Sequence, residues 1–310
     1  MPANRTVGIV GVGRMGGPIA QRYLKARVPL MVWDEAEACR APFEKKRGVT
    51  IASPGEMAEK CAIILFVVPS SAEIADCFKG KEGVLKRARK GLVLYDLTTS
   101  NPAVTKKLAA RAARAGIPYL DAGMSGGPGG ILKGKLTLMI GGDEKVFKRT
   151  RKHLDPFTDK LFHLGELGTG HAMKLLNNMV LHTIFLATCE GARLAEKMGV
   201  DVAKMIEVFN VSSAFSYASQ HRFPNNILNG SWNAQARIYN PHKDVGLAVA
   251  IGKSLGADVD YAERTYEILQ MAVERGMIEE DYSHLYRDWH EIKKVKLGKK
   301  VKSGKKIARR

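Results

Sequence analysis

No hydrophobic run in this sequence approaches the roughly 20 residues that a membrane-spanning helix needs. Met1-Pro2-Ala3-Asn4-Arg5-Thr6 holds no secretory apolar core and leads straight into a strand-like segment, so a cytoplasmic protein is expected. Cysteine is scarce. Cys39, Cys61, Cys77 and Cys189 are scattered and form no Cys-x-x-Cys pair, which argues for bystander thiols in a reducing compartment. His171, His182, His221 and His242 form no His-x-x-x-His pair, and no metal site is expected. Acidic residues are also few, 31 against 49 Lys and Arg, for a net charge of +18. That excess suggests a nucleic-acid partner until it is located. Residues 291–310 hold ten basic residues against the single acid Glu291, half of the whole imbalance. With few large apolar residues, the tail reads as a solvated, flexible end, and no nucleic-acid partner is expected.

What is present is an α/β pattern that gives way to a helical one. Apolar segments at 7–10, 30–33, 63–68, 92–95 and 118–120 are hydrophobic throughout, as parallel strands covered on both faces are. Helix-like stretches at 18–26, 53–60, 72–78 and 102–115 separate them, which implies a doubly wound, mostly parallel sheet. Further strands are expected at 135–143 and 161–163, with a helix at 144–153. After Gly168 no strand is evident. Residues 170–198 contain no proline and only one internal glycine, Gly191, and read as one long helix. Later helices break at Gly199, Pro224, Gly230, Pro241 and Gly256. The length of 310 residues fits two domains. We assign 1–167 to the α/β domain, 168–292 to an all-helical domain opened by the long interdomain helix, and 293–310 to the basic tail.

Gly11-Val12-Gly13-Arg14-Met15-Gly16 follows the first strand and opens a helix with Pro18 in its first turn. Gly-x-Gly-x-x-Gly in that context is the dinucleotide fingerprint of a Rossmann domain. Gly11 permits the tight turn, Gly13 lets a pyrophosphate approach the backbone, and Gly16 allows close helix–strand packing. Asp34 ends the second strand about twenty residues on, where an acid bonds ribose hydroxyls and repels a 2′-phosphate, so NAD is favoured over NADP. Val68 and Pro69, and then Thr98 or Thr99, stand where parallel strands end and are expected beside the cofactor.

The segment Asp121-Ala122-Gly123-Met124-Ser125-Gly126-Gly127-Pro128-Gly129-Gly130 reads as a glycine-rich loop. Its Ser125 hydroxyl and Gly126-Gly127 amides suit a carboxylate. On the long helix, Lys174 and Asn178 are four apart and share a face. Ser212–Tyr217, between later helices, is read either as pocket lining or as helix capping. Asn240-Pro241-His242 reads as a stiff turn before Lys243.

Together the glycine loop, Asp121-Ala122-x-x-Ser125-Gly126-Gly127, Gly168-x-Gly170-x-x-x-Lys174-x-x-Asn177-Asn178 and Lys243-Asp244-x-x-Leu247 resemble the β-hydroxyacid dehydrogenases. These four motifs, in order, cover roughly residues 6 to 275. The resemblance implies an NAD-dependent oxidoreductase of small β-hydroxyacids or their semialdehydes, working as a homodimer or homotetramer. Lys174 matches the catalytic lysine and Asn178 its substrate-holding partner. Ser125-Gly126-Gly127 matches the anchoring loop, and Lys243-Asp244 the pair that closes over cofactor and substrate. Departures concern the substrate more than the reaction. Gly123 and Met124 replace the usual Pro-Val, Arg22 stands where asparagine is common, and Pro128-Gly129-Gly130 lengthens the glycine run. Two alternatives are an imine or other small-carbonyl reductase and a silent dinucleotide-binding module with a nucleic-acid-docking tail. Relatives of the first kind usually lack the lysine and silent relatives of the second have lost it, so Lys174 argues against the silent module. Chemically, loss of hydride from an alcohol carbon requires loss of the hydroxyl proton, and a lysine of lowered pKa serves as its acceptor.

Overall fold

The computed structural model describes residues 5–297, so most of the basic tail lies outside the described residues. Two compact units divide at Lys174 and Leu175, inside the long helix.

The first unit is built on an eight-stranded sheet of order β3-β2-β1-β4-β5-β6-β7-β8. Its strands are β1 (Val7–Val10), β2 (Leu30–Trp33), β3 (Val49–Ile51), β4 (Ile63–Phe66), β5 (Val93–Asp96), β6 (Tyr119–Ser125), β7 (Leu136–Gly141) and β8 (Thr158–His163). Every neighbouring pair is parallel except β6 and β7. The apolar strands follow from the two-sided cover. Val7 and Ile9 of β1 and Ile63 and Leu65 of β4 enter one core, while Val10, Ile64 and Phe66 enter the core on the opposite face. All seven are buried, so each strand loses its alternation because both faces are dry. Chain order reverses between β1 and β4. That is a topological switch point, and the crevice beyond the carboxyl ends of the strands there is where such sheets bind ligands.

Helix starts follow local chemistry. Ser53 and Ser70 each form a capping box, with Glu56 and Glu73 respectively, and Asn101 caps the helix Pro102–Arg114 through its side-chain oxygen.

The second unit is helical among its described residues. The long helix Thr169–Lys197 leads into it, followed by Val202–Asn210, a π-helix at Ala218–Leu228, Tyr239–Ser254 and Asp260–Glu274. Phe185, Phe223, Tyr282, Leu285 and Trp289 are buried in its core. No helix among the described residues is long and apolar enough to cross a membrane.

One strand is additional to those expected from the sequence, and three expectations need correction. β3 was not foreseen, because three half-buried or exposed residues beside a charge run carry little periodic signal. The glycine-rich segment is not a loop throughout. Its first half is the buried end of β6, and Gly127–Leu132 is helical. Pro224 does not separate two helices but lies inside the π-helix, whose wider turn tolerates the missing donor. Pro241 sits in the first turn of Tyr239–Ser254, where its absent N–H is no loss, so Asn240-Pro241-His242 is helix and not a separate turn.

Candidate active site

The glycine loop joins β1 to the first helix, Gly16–Lys25. Gly11 has φ +90°, and a Cβ there would run into the Val67 carbonyl and lie 3.1 Å from Val68 Cγ1. A Cβ on Gly16 would overlap the Gly11 carbonyl oxygen. Both glycines are therefore required by packing. Gly13 differs, since a Cβ there would meet nothing within 4 Å. The helix Gly16–Lys25 starts without a side-chain cap at Met15, the Gly17 N–H donates to the Gly13 carbonyl at 2.8 Å, and Pro18 has no N–H to satisfy. Unfilled space at Gly13, at the positive end of a helix that no side chain caps, fits a pyrophosphate.

Asp34 turns its carboxylate onto the same loop. Oδ2 accepts the Val12 N–H at 2.9 Å and Oδ1 accepts that of Ala36 at 3.0 Å, while each oxygen retains a lone pair for a ribose hydroxyl. Arg40 stacks over Trp33 and donates to the Asp34 and Glu35 carbonyls. Arg14 is exposed and Met15 half-buried. Val68 is half-buried and Pro69 exposed just beyond β4. Thr98 is buried and spends its hydroxyl on Asp96 Oδ1 at 2.6 Å, and Thr99 beside it is half-buried.

β5 and β6 place Asp96 and Asp121 as register partners, and both are fully buried. Asp96 is satisfied by the Thr98 N–H and hydroxyl on Oδ1 and by the Tyr119 hydroxyl on Oδ2 at 2.7 Å. Burial first, and then the Asp96 carboxylate, hold the Tyr119 phenol well above its ordinary range. Asp121 has a different task. Its Oδ1 accepts the Gly168 N–H at 2.6 Å and its Oδ2 the His171 N–H at 2.7 Å, so a strand carboxylate caps the long helix. His171 is fully buried, with Nε2 3.1 Å from the Asp96 carbonyl and Nδ1 2.7 Å from Thr105 Oγ1. A carbonyl only accepts, so in the neutral ring Nε2 carries the proton and Nδ1 accepts from the threonine.

Lys174, half-buried, lies one turn further along and packs on β6, since a Cβ on Gly123 would stand 2.5 Å from Lys174 Cβ. Ser125 closes β6 half-buried, Gly126 follows exposed at φ +127°, and Gly127 has φ +61°. Arg22 reaches the far end of the helix Gly127–Leu132, donating through Nη1 to the Leu132 carbonyl at 3.4 Å. It donates through Nε to the Pro156 carbonyl at 2.7 Å and ties the first helix to the approach to β8.

Within the second unit, Asn178 is buried and gives its amide hydrogen to Asp244 Oδ2 at 2.6 Å, while its oxygen accepts from Asn177 Nδ2 at 3.1 Å. Lys243 Nζ stands 2.9 Å from Asp244 Oδ1. Asn178, Asp244 and Lys243 therefore form one cluster. Ser216 Oγ accepts the Ser219 N–H at 3.2 Å, the capping alternative for that segment. Among the described residues no group of three or more His, Cys, Asp or Glu is arranged to hold a metal ion.

Sequence reasoning named Asp121 only as part of a motif and missed its capping role. An acid one position before a small residue at a strand end is compatible with many structures, and the cap spans 47 residues to Gly168.

Comparison with known proteins matches residues 6–165 to the NAD binding domain of 6-phosphogluconate dehydrogenase. Residues 168–289 match the NAD-binding model of NADP-dependent 3-hydroxyisobutyrate dehydrogenase. Human mitochondrial 3-hydroxyisobutyrate dehydrogenase is 31% identical over 288 residues, covering 91% of this chain and 85% of that protein. The 2-(hydroxymethyl)glutarate dehydrogenase of Eubacterium barkeri is 30% identical, covering 92% and 95%. Among solved structures, Mycobacterium tuberculosis 3-hydroxyisobutyrate dehydrogenase with L-serine has a TM-score of 0.81 at 25% identity, covering 92% of this chain and 99% of that one.

Proposed function

The chain belongs to the 3-hydroxyisobutyrate dehydrogenase-like family of β-hydroxyacid dehydrogenases, NAD(P)-binding oxidoreductases, and on that premise we propose its cofactor, catalytic residue and substrate class. The cofactor is NAD, which when bound accepts or returns a hydride. Gly11, Gly13 and Gly16, with Val12, Arg14 and Met15, cradle its phosphates. Asp34 holds the ribose hydroxyls, its fixed carboxylate disfavouring a 2′-phosphate. Val68, Pro69 and Thr99 flank the cofactor, and Lys243 and Asp244 complete its cover.

The substrate is a small β-hydroxyacid or its semialdehyde. Ser125 and the Gly126-Gly127 amides bind its carboxylate, and Asn178 and Lys243 bind its polar groups. Lys174 Nζ takes the hydroxyl proton in oxidation and returns it in reduction, a contribution worth about 10²–10⁴-fold. The observation that carries this reading is the seat of Lys174 on Gly123, two residues before Ser125 on one strand. Proton acceptor and anchor are thus supplied to one face of β6.

We further propose a homo-oligomer in the reducing cytoplasm. Leu176, Val180, Ile184 and Leu194 are exposed along the long helix, and the four cysteines are free.

The test is an NAD-reduction screen over 3-hydroxyisobutyrate, glycerate, 3-hydroxypropionate and sulfonated analogues. Turnover with at least one carboxylate is expected. Silence across the whole set, with NAD bound, contradicts the substrate class.

A further inference from the structure

We infer that Gly123 and Asp121 are the positioning residues for Lys174, acting through the backbone of the long helix. The inference rests on the reading that Lys174 carries the proton.

Alternation along β6 puts Asp121, Gly123 and Ser125 on one face. Each of the first two engages the start of the long helix. The Asp121 carboxylate holds the amides of Gly168 and His171, fixing the axial position of the first turn. One turn on, the missing side chain of Gly123 makes room for Lys174. A Cβ there would stand 2.5 Å from Lys174 Cβ, 3.2 Å from Lys174 Cγ and 3.0 Å from the Gly170 carbonyl oxygen. Two other glycines serve the same approach. A Cβ on Gly170 would lie 2.9 Å from Asp121 Oδ2 and from the Gly141 amide nitrogen, and one on Gly141 would lie 2.6 Å from Asp121 Oδ1. The helix is thus drawn onto the sheet by a carboxylate and admitted by absent side chains.

Carbon atoms pack at about 3.5–4.0 Å, so a methyl on Gly123 must move the Lys174 backbone outward by about 1 Å. The close atom is Cβ, and a change of rotamer further along the lysine cannot relieve the contact. Misplacement of an acid/base group by about 1 Å costs about 10²-fold in rate. The glycine stands where the loop this segment resembles has proline, so the depth of the lysine seat is a property of this chain.

Gly123→Ala and Asp121→Asn are each compared with the unaltered protein by steady-state kinetics on the best substrate of the screen, NAD affinity by fluorescence and thermal midpoint. We expect kcat to fall about 10²-fold in Gly123→Ala and by a smaller factor in Asp121→Asn. NAD affinity should stay within about twofold, because neither residue belongs to the glycine loop. Asp121→Asn keeps the side-chain shape, so it reads the seat even if Gly123→Ala does not fold. Unchanged kcat in both variants overturns the inference, as does a loss of NAD affinity in step with kcat. Lys174→Ala separates this inference from its premise. Retained turnover there defeats the acid/base reading, whereas lost turnover with an unaffected Gly123→Ala defeats only the positioning.

Discussion

Asp121 accepts the His171 amide at 2.7 Å from across the unit, so the helix that carries Lys174 is capped by the strand on which Lys174 packs. The same carboxylate bonds Gly168 at 2.6 Å. Asn at this position keeps one acceptor and aims an amide donor at the other N–H. Hydrogen bonds to a charged acceptor are worth about 1.5–3 kcal/mol. Asp121→Asn should therefore lower unfolding free energy by about 2 kcal/mol, measured by the urea midpoint.

The glycine loop separates packing from binding. Gly16 abuts the Gly11 carbonyl, whereas Gly13 faces open space. Gly13→Ala should fold with an unchanged thermal midpoint yet bind NAD at least about tenfold more weakly, a loss of about 1.4 kcal/mol. Gly16→Ala should lose both stability and binding. Calorimetric titration with NAD beside a thermal melt distinguishes the two.

Alkaline pH should destabilise the first unit. Burial pushes the Cys61 thiol and the Tyr95 phenol up to about 12 each, while in the unfolded chain they ionise at their ordinary values of 9.0 and 10.0. The folded state holds these protons longer, so the stability they contribute is full below about pH 9 and falls as pH rises towards 12. Each such group contributes a slope of up to about 1.4 kcal/mol per pH unit. Urea midpoints at pH 8, 10 and 11 should decline in that order, and Tyr95→Phe should flatten the step above pH 10.

Gly191 lies inside the long helix with nothing within 4 Å of a built Cβ. Gly191→Ala should therefore raise stability by about 0.5–1 kcal/mol through helix propensity. The urea midpoint measures it, and kcat should not change.

The sheet was legible because its strands are apolar on both faces and its helices start at recognisable caps such as Asn101 before Pro102. The long helix was legible because nothing interrupts it from Thr169 to Lys197. β3 was not, since Val49–Ile51 is three residues long and half open to solvent. The π-helix was hidden because Pro224 ordinarily breaks a helix, and only tertiary packing decides otherwise. Within the site, residue types at Gly11, Gly13, Gly16 and Lys174 could be read in order along the chain. The contacts that orient them could not. Asp34 on the Val12 amide, Asp121 on Gly168 and Gly123 beneath Lys174 join residues separated by 22, 47 and 51 positions, and no local pattern encodes those meetings.

The central claim is that Lys174 moves the proton, and the most direct measurement is single-turnover NAD reduction by Lys174→Ala with the best hydroxyacid of the screen. The account predicts unchanged NAD affinity with a rate lowered by about 10²–10⁴-fold. A rate within a few-fold of the unaltered protein, at equal NAD affinity, would contradict it.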